Sequence, residues 1–118
     1  MEKLKEFNNM MNVLGKISPE KANAFVDFVN KVEKNGALDA KTKELIALSI
    51  GIVKNCETCI YYHLNEAMKL GASREEILEA AWVAVLMDGG PSLAHLEYVI
   101  KALYAPLIKA INEPYSKQ

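Results

Sequence analysis

The feature that most constrains the fold is the regular occurrence along the chain of residues that begin or end helices. These signals are Ser18-Pro19-Glu20, Asn35-Gly36, Asp39, Gly71, Ser73-Arg74-Glu75-Glu76 and Gly89-Gly90-Pro91. Between them apolar residues recur at helical spacing, and no segment shows the alternation that is typical of a strand. The sequence therefore predicts an all-α protein, a compact bundle of about six to seven helices in a single domain spanning residues 1–118.

Three local features refine this prediction. The segment from Leu45 to Val53 is apolar on nearly every face, so we expect this part of the helix to be buried on all sides. Asn55 is predicted to cap the next helix. Pro106 is predicted to kink the last helix or to divide it in two.

Composition and charge exclude several classes of protein. Apolar and aromatic residues make up 51% of the chain, yet no run approaches the roughly 20 apolar residues that span a bilayer. We therefore expect the surplus apolar surface to meet a second copy of the chain in a homo-oligomer. The net charge of −1 and the scattered lysines argue against nucleic acid as a partner. The charged N-terminus does not resemble a signal peptide, which predicts a cytoplasmic location where thiols stay reduced.

Two cysteines and a histidine form the chemical motif of the chain. On a helix, Cys56, Cys59 and His63 stand at positions i, i+3 and i+7 and share one face. Residues three apart have Cα atoms about 5–6 Å apart, within the range of a disulfide. A helix N-terminus stabilises a thiolate, and His63 can accept a proton or, when charged, lower the pKa of Cys59. The motif predicts a redox-active dithiol.

Other interpretations of these residues remain open. The cysteines could be a passive apolar pair, or they could bind zinc with His63 if His95 or Glu44 supplied the fourth ligand. Glu44 is either a solvated residue near the start of its helix or a partly buried proton relay beside the dithiol, and spacing alone does not separate the two.

The pattern as a whole resembles a known family. Glu44, eleven intervening residues and then Cys56-x2-Cys59-x3-His63 resemble the core of the alkylhydroperoxidase D-like branch of the carboxymuconolactone decarboxylase family. The segment from Leu70-Gly71-Ala72-Ser73 to Ala80-Ala81 is similar to the continuation of that core, and the resemblance covers about residues 36–105.

The resemblance implies an all-α fold that assembles into trimers or hexamers through apolar helices. It implies that Cys59 attacks a hydroperoxide, that Cys56 resolves the product to a disulfide, and that Glu44 and His63 relay protons. It also implies that a lipoyl-bearing or thioredoxin-like dithiol protein returns the electrons. No other cofactor is expected, since the chain shows no flavin, haem, nicotinamide or phosphate-binding motif.

Two comparisons with the family sharpen the hypothesis. Thr58 occupies a position where alkylhydroperoxidase D carries a second histidine, and a hydroxyl cannot hold a proton near neutral pH. The family's decarboxylases lack the cysteine pair, which argues against lactone decarboxylation. We therefore expect a thiol-dependent peroxidase or disulfide reductase; the alternatives are a non-redox lyase or binding protein of the same family and a zinc-binding structural module.

Overall fold

The computed structural model describes residues 2–110, and within this range the chain forms six α-helices and no strand. The all-α prediction is confirmed. The helices are α1 (Glu2–Ile17), α2 (Pro19–Glu33), α3 (Ala40–Val53), α4 (Glu57–Lys69), α5 (Arg74–Asp88) and α6 (Gly90–Ala110).

Several helix boundaries follow from local chemistry. The side chain of Asp39 accepts a hydrogen bond from the backbone N–H of Thr42 at 2.7 Å and caps α3. Ser73 and Glu76 form a complete capping box at the start of α5. In α6, Tyr104 has non-helical dihedral angles two residues before Pro106, so the predicted kink is confirmed.

The core lies between α3, α4, α5 and α6. Its fully buried members include Leu48, Ile52, Ile60, Leu64, Ile77 and Val99. By contrast, α1 has no buried residue and α2 has only Ala22, so these two helices lie at the edge of the bundle. In residues 2–110 no helix combines the length and the apolar character needed to cross a membrane.

The expectation that the apolar part of α3 is buried on all sides is wrong for the single chain. Leu48 and Ile52 are fully buried, but Ile46, Ile50 and Val53 are 46%, 53% and 39% exposed. Their spacing of four and three residues places them on one stripe of the helix. A similar exposed stripe on α5 consists of Trp82, Val83, Leu86 and Met87. We call these two stripes together the apolar faces of α3 and α5.

Candidate thiol site

The turn between α3 and α4 places the first cysteine. Asn55 adopts a left-handed conformation (φ 52°), which asparagine tolerates better than most residues. The N–H of Cys56 then donates to the carbonyl of Gly51 at 3.0 Å. The prediction that Asn55 caps α4 is wrong, because Asn55 makes the turn and Cys56 itself is the N-cap residue.

The two cysteines are joined in a disulfide at the start of α4. Their Cα atoms lie 5.2 Å apart, within the range expected from the sequence. The backbone N–H of Cys59 donates to the Sγ of Cys56 at 3.2 Å, so the sulfur occupies the place of a capping oxygen. Gly51 of α3 packs against this turn: a Cβ at that position would lie 3.3 Å from the Cβ of Cys59. Close approach of α3 and α4 therefore depends on a glycine.

Glu44 and His63 form a buried pair between α3 and α4. Their Oε2 and Nδ1 atoms lie 2.7 Å apart, and the side chain of Glu44 is only 3% exposed. Glu44 is therefore not the solvated residue that one interpretation allowed. A carboxylate beside Nδ1 favours the imidazole tautomer that has its proton on Nδ1. Nε2 is then the ring nitrogen that can accept a proton. The geometry is that of a base held in position by a carboxylate.

Two further residues at this site, Glu33 and Tyr62, received no role from the sequence. Glu33 is the last residue of α2; its Oε2 lies 3.8 Å from Nδ1 of His63, and its Oε1 accepts a hydrogen bond from the Tyr62 hydroxyl at 3.2 Å. One signal could have identified Glu33, because an acidic residue in the last turn of a helix opposes the helix dipole. The negative charge of such a residue is unfavourable there unless another group compensates it.

Burial dominates the protonation of this cluster. It raises the pKa of Glu33 from 4.5 to about 7, and the adjacent Glu44 carboxyl contributes to the rise. Burial also raises the pKa of Glu44, although its hydrogen bond with Glu33 lowers it. The pKa of His63 is lowered by burial, so the imidazole is neutral at pH 7. The pKa of Tyr62 is raised by burial and by the negative charge of Glu33, so its hydroxyl keeps its proton.

A cavity of about 460 Å³ opens beside the disulfide, between α1, α2 and α4. Cys59 and His63 both line it, together with Thr58 and Tyr62, whereas Cys56 does not. The rest of the wall is mostly apolar and consists of Phe7, Asn8, Met11, Phe25, Val26, Val29 and Asn30. The cavity therefore offers a small organic molecule a place beside one of the two cysteines and the histidine.

The zinc arrangement considered from the sequence does not form in this structure. The sulfurs of Cys56 and Cys59 are bonded to each other, and among residues 2–110 neither belongs to a group of three potential ligands. His95 lies elsewhere, with its Nδ1 2.6 Å from the carbonyl oxygen of Ile52. It contributes to packing between α6 and the end of α3, and it does not line the cavity.

Fold and site together define an all-α protein with a disulfide at a helix N-terminus and a carboxylate–histidine pair behind it. Residues 19–102 match the carboxymuconolactone decarboxylase family, and the chain belongs to that family. The match extends through α2, beyond the segment in which the sequence motif was recognised.

Solved structures and sequence relatives agree with this assignment. A carboxymuconolactone decarboxylase family protein of Legionella pneumophila, crystallised in its apo form, has a TM-score of 0.83 at 38% identity, covering 88% of this chain and 93% of its own. A Thermotoga maritima family member, for which a part in the antioxidative response has been suggested, has a TM-score of 0.77 at 31% identity, covering 92% of both chains. A Cupriavidus necator protein of uncharacterised function is 33% identical over 101 residues, which are 86% of this chain and 87% of the relative.

Proposed function

We propose that this protein is a thiol-dependent peroxidase or disulfide reductase that reduces hydroperoxides with the Cys56–Cys59 dithiol. The observation that carries the proposal is the arrangement of the cavity, where Cys59 and His63 share one apolar space and Glu44 holds the imidazole from behind. A disulfide between the two cysteines supports their redox role. The suggested antioxidative part of the Thermotoga maritima relative points in the same direction.

In the proposed oxidative half-reaction the attacking residue is Cys59, the cysteine that lines the cavity. His63 takes the thiol proton of Cys59, and the thiolate attacks the terminal oxygen of the hydroperoxide. The O–O bond breaks, Cys59 becomes a sulfenic acid, and the departing alkoxide receives a proton from His63 to form an alcohol. The thiolate of Cys56 then attacks the Cys59 sulfur, which forms the disulfide and releases hydroxide. With the second thiol proton this hydroxide becomes water.

The apolar wall indicates the class of oxidant. The cavity is lined by side chains such as Phe25 and Val29, so it favours an organic hydroperoxide with an apolar body over hydrogen peroxide. Thr58, which also lines the cavity, contributes a hydroxyl where a second histidine would offer a base. We therefore expect turnover to rely on the single base His63.

The proposal includes two kinds of protein partner. A dithiol protein of the lipoyl-bearing or thioredoxin-like class regenerates the dithiol by exchange through a mixed disulfide, in a cytoplasmic location. A second copy of the chain covers the apolar faces of α3 and α5, in a trimer or hexamer. Leu86 and Met87, each 79% exposed in the single chain, support this assembly.

Kinetics of two matched cysteine variants test the function. With dihydrolipoamide as the reductant and cumene hydroperoxide as the oxidant, the wild-type protein should consume peroxide catalytically. Cys59→Ser should abolish consumption. Cys56→Ser should retain a single oxidation per chain, which dimedone traps as a Cys59 sulfenic acid, and should form no intramolecular disulfide. Unchanged turnover in Cys59→Ser would refute the proposal.

The same variants separate the redox function from its alternatives. A non-redox lyase or binding protein of this family would use the cavity without its sulfurs, so it would remain active in the Cys56→Ser/Cys59→Ser double variant. A zinc module would retain metal after purification and lose stability when a chelator is added. For the redox protein we expect two free thiols after reduction, both lost after one equivalent of hydroperoxide.

A further inference from the structure

Glu33, Glu44 and His63 bring three potential metal ligands together where α2, α3 and α4 meet. One oxygen of each carboxyl group and one ring nitrogen all lie within 4.8 Å of one another. Oε2 of Glu44 lies 2.7 Å from Nδ1 of His63, and Oε2 of Glu33 lies 3.8 Å from the same nitrogen. Bonds of about 2.0–2.2 Å to one zinc ion place its ligand atoms about 3–3.5 Å apart, so side-chain shifts of about 1 Å or less would complete the arrangement.

The Glu33 carboxyl shows that hydrogen bonds within the protein do not satisfy this cluster. Glu44 and His63 form a pair of their own, and Oε1 of Glu33 accepts a hydrogen bond from the Tyr62 hydroxyl at 3.2 Å. Oε2 of Glu33 is buried, and no donor in the described part of the chain reaches it. A buried carboxylate oxygen without a partner is costly, and either a proton or a metal ion would remove that cost.

A second cavity, of about 170 Å³, lies beside these ligands. Glu33, Glu44 and His63 all line it, and most of the remaining wall is apolar, with side chains such as Phe28 and Val32. A water molecule takes up about 30 Å³ of liquid, so the cavity has room for an ion together with a water ligand. An apolar shell around a polar cluster limits access of solvent and strengthens the attraction between a metal ion and its ligands.

The charges around the cluster favour a cation. Lys43 also lines the cavity, but its amine donates to the backbone carbonyls of Val32 and Lys34 at 2.9 and 2.8 Å, at the end of α2. Within residues 2–110 this amine forms no ion pair with either carboxyl group of the cluster. From α4, Glu66 adds negative charge that acts on Glu44. The lysine therefore does not neutralise the two carboxylates, whose combined charge matches that of one divalent ion.

We propose that Glu33, Glu44 and His63 form a binding site for a divalent first-row transition-metal ion such as Zn²⁺. The imidazole favours this class of ion over Mg²⁺ and Ca²⁺, which prefer oxygen ligands alone. Three side chains and one water molecule supply the four ligands that zinc requires at an open site. The site goes beyond the proposed thiol function and does not depend on it. Its ligands include no sulfur, which distinguishes it from a zinc module built on the cysteines.

Metal binding at this site would change two properties of the protein. It would attach the end of α2, a helix with only one buried residue, to α3 and α4 and so stabilise the fold. It would also occupy Nδ1 of His63, which places the ring proton on Nε2. The metal-loaded protein would then lack the base that accepts the thiol proton. This second consequence, unlike the site itself, rests on the proposed function.

The experiment titrates Zn²⁺ into the oxidised protein, whose disulfide removes thiolates as competing ligands. Wild type is compared with Glu33→Gln and with the control Glu66→Gln, after each protein has been treated with a chelator. Glutamine keeps the size of Glu33 but replaces a charged ligand by a neutral amide. Glu66 is a nearby carboxylate that pairs with Lys69 at 3.5 Å and is not one of the three clustered ligands, so its variant removes a charge without removing a ligand. Calorimetry measures affinity and stoichiometry, thermal unfolding measures stabilisation, and nitrogen-15 NMR identifies the tautomer of His63.

We expect one zinc ion per chain in wild type and in Glu66→Gln. Binding to Glu33→Gln should be at least about tenfold weaker, since even changes outside the metal ligands commonly cost 10–100-fold in affinity. Zinc should raise the melting temperature of the first two proteins and move the ring proton of His63 from Nδ1 to Nε2. Circular dichroism establishes that Glu33→Gln is folded.

Three results would overturn the inference. Wild type that binds no zinc at millimolar concentration would show that a proton alone satisfies Oε2 of Glu33. Equal affinity in wild type and Glu33→Gln would place the ion elsewhere, and an equal loss of affinity in Glu66→Gln would show that only the general negative charge matters. None of these measurements uses peroxide. A protein that binds zinc in this way without consuming hydroperoxide would therefore contradict the proposed function and retain the metal site.

Discussion

Gly51 offers a quantitative test of how closely the thiol turn packs against α3. In the variant Gly51→Ala, the new Cβ would lie 3.3 Å from the Cβ of Cys59 and 3.6 Å from the backbone N of Ile60. Alanine gains about 1 kcal/mol of helix propensity over glycine. Overpacking a tight contact costs about 1–3 kcal/mol, and the disulfide to Cys56 prevents Cys59 from moving away. We therefore expect a net loss of roughly 1 kcal/mol in the oxidised protein.

The control for this experiment is Gly15→Ala in α1, where a new Cβ meets nothing within 4 Å. That variant should be stabilised by up to about 1 kcal/mol, since only the propensity term remains. Urea unfolding of both variants, with and without a reductant, measures the difference. The penalty at Gly51 should shrink on reduction, because without the disulfide the backbone of the first turn of α4, and the Cβ of Cys59 with it, is freer to shift away from α3. An oxidised Gly51→Ala protein that gains as much stability as Gly15→Ala would refute the close-packing argument.

Three further predictions concern charge, capping and assembly. The folded pKa of Glu33, about 7, lies above the ordinary 4.5, so the stabilisation from its protonated form is complete below pH 4.5 and is lost as pH rises through 7. At about 1.4 kcal/mol per pH unit the loss is at most roughly 3.5 kcal/mol, so urea midpoints from pH 4 to 8 should fall in wild type and much less in Glu33→Gln. Ser73→Ala removes one half of the capping box and should cost about 1 kcal/mol in thermal unfolding, with an unchanged melt contradicting the role of the cap. Leu86→Glu should shift the mass measured by light scattering to smaller species without loss of helical circular dichroism, and an unshifted mass would exclude Leu86 from the interface.

The order of helices could be predicted from the sequence because each boundary has a local cause. Asp39, Ser73 and Pro106 act within a few residues of their own position, and the structure shows the cap, the capping box and the kink that they predict. The burial of α3 could not be predicted in the same way. Apolar residues on every face favour a helix that avoids water on all sides, but Ile50 is 53% exposed in the single chain.

The candidate site was predictable only as far as its residues share one helix or a recognisable spacing. Cys56, Cys59 and His63 belong to one segment, and Glu44 was singled out by its place before an apolar run. Glu33 lies 29 residues from Tyr62, and the contact between them depends on how α2 packs against α4. No periodicity within a helix encodes such a contact. The sequence therefore identified the candidate residues nearest the sulfurs, whereas the Glu33 carboxyl behind them became apparent only from the fold.

The capping role of the Cys56 sulfur has a consequence for the motions of α4. The Sγ atom of Cys56 that accepts the hydrogen bond of the Cys59 amide at 3.2 Å is also an atom whose bonding would change in each cycle of the proposed reaction. A thiolate is a stronger acceptor than a disulfide sulfur, and a neutral thiol is a weaker one than the thiolate. Amide hydrogen exchange at Cys59 should therefore differ between oxidation states, although the rest of α4 stays folded. A partner protein could distinguish the reduced from the oxidised form by how readily the first turn of this helix opens.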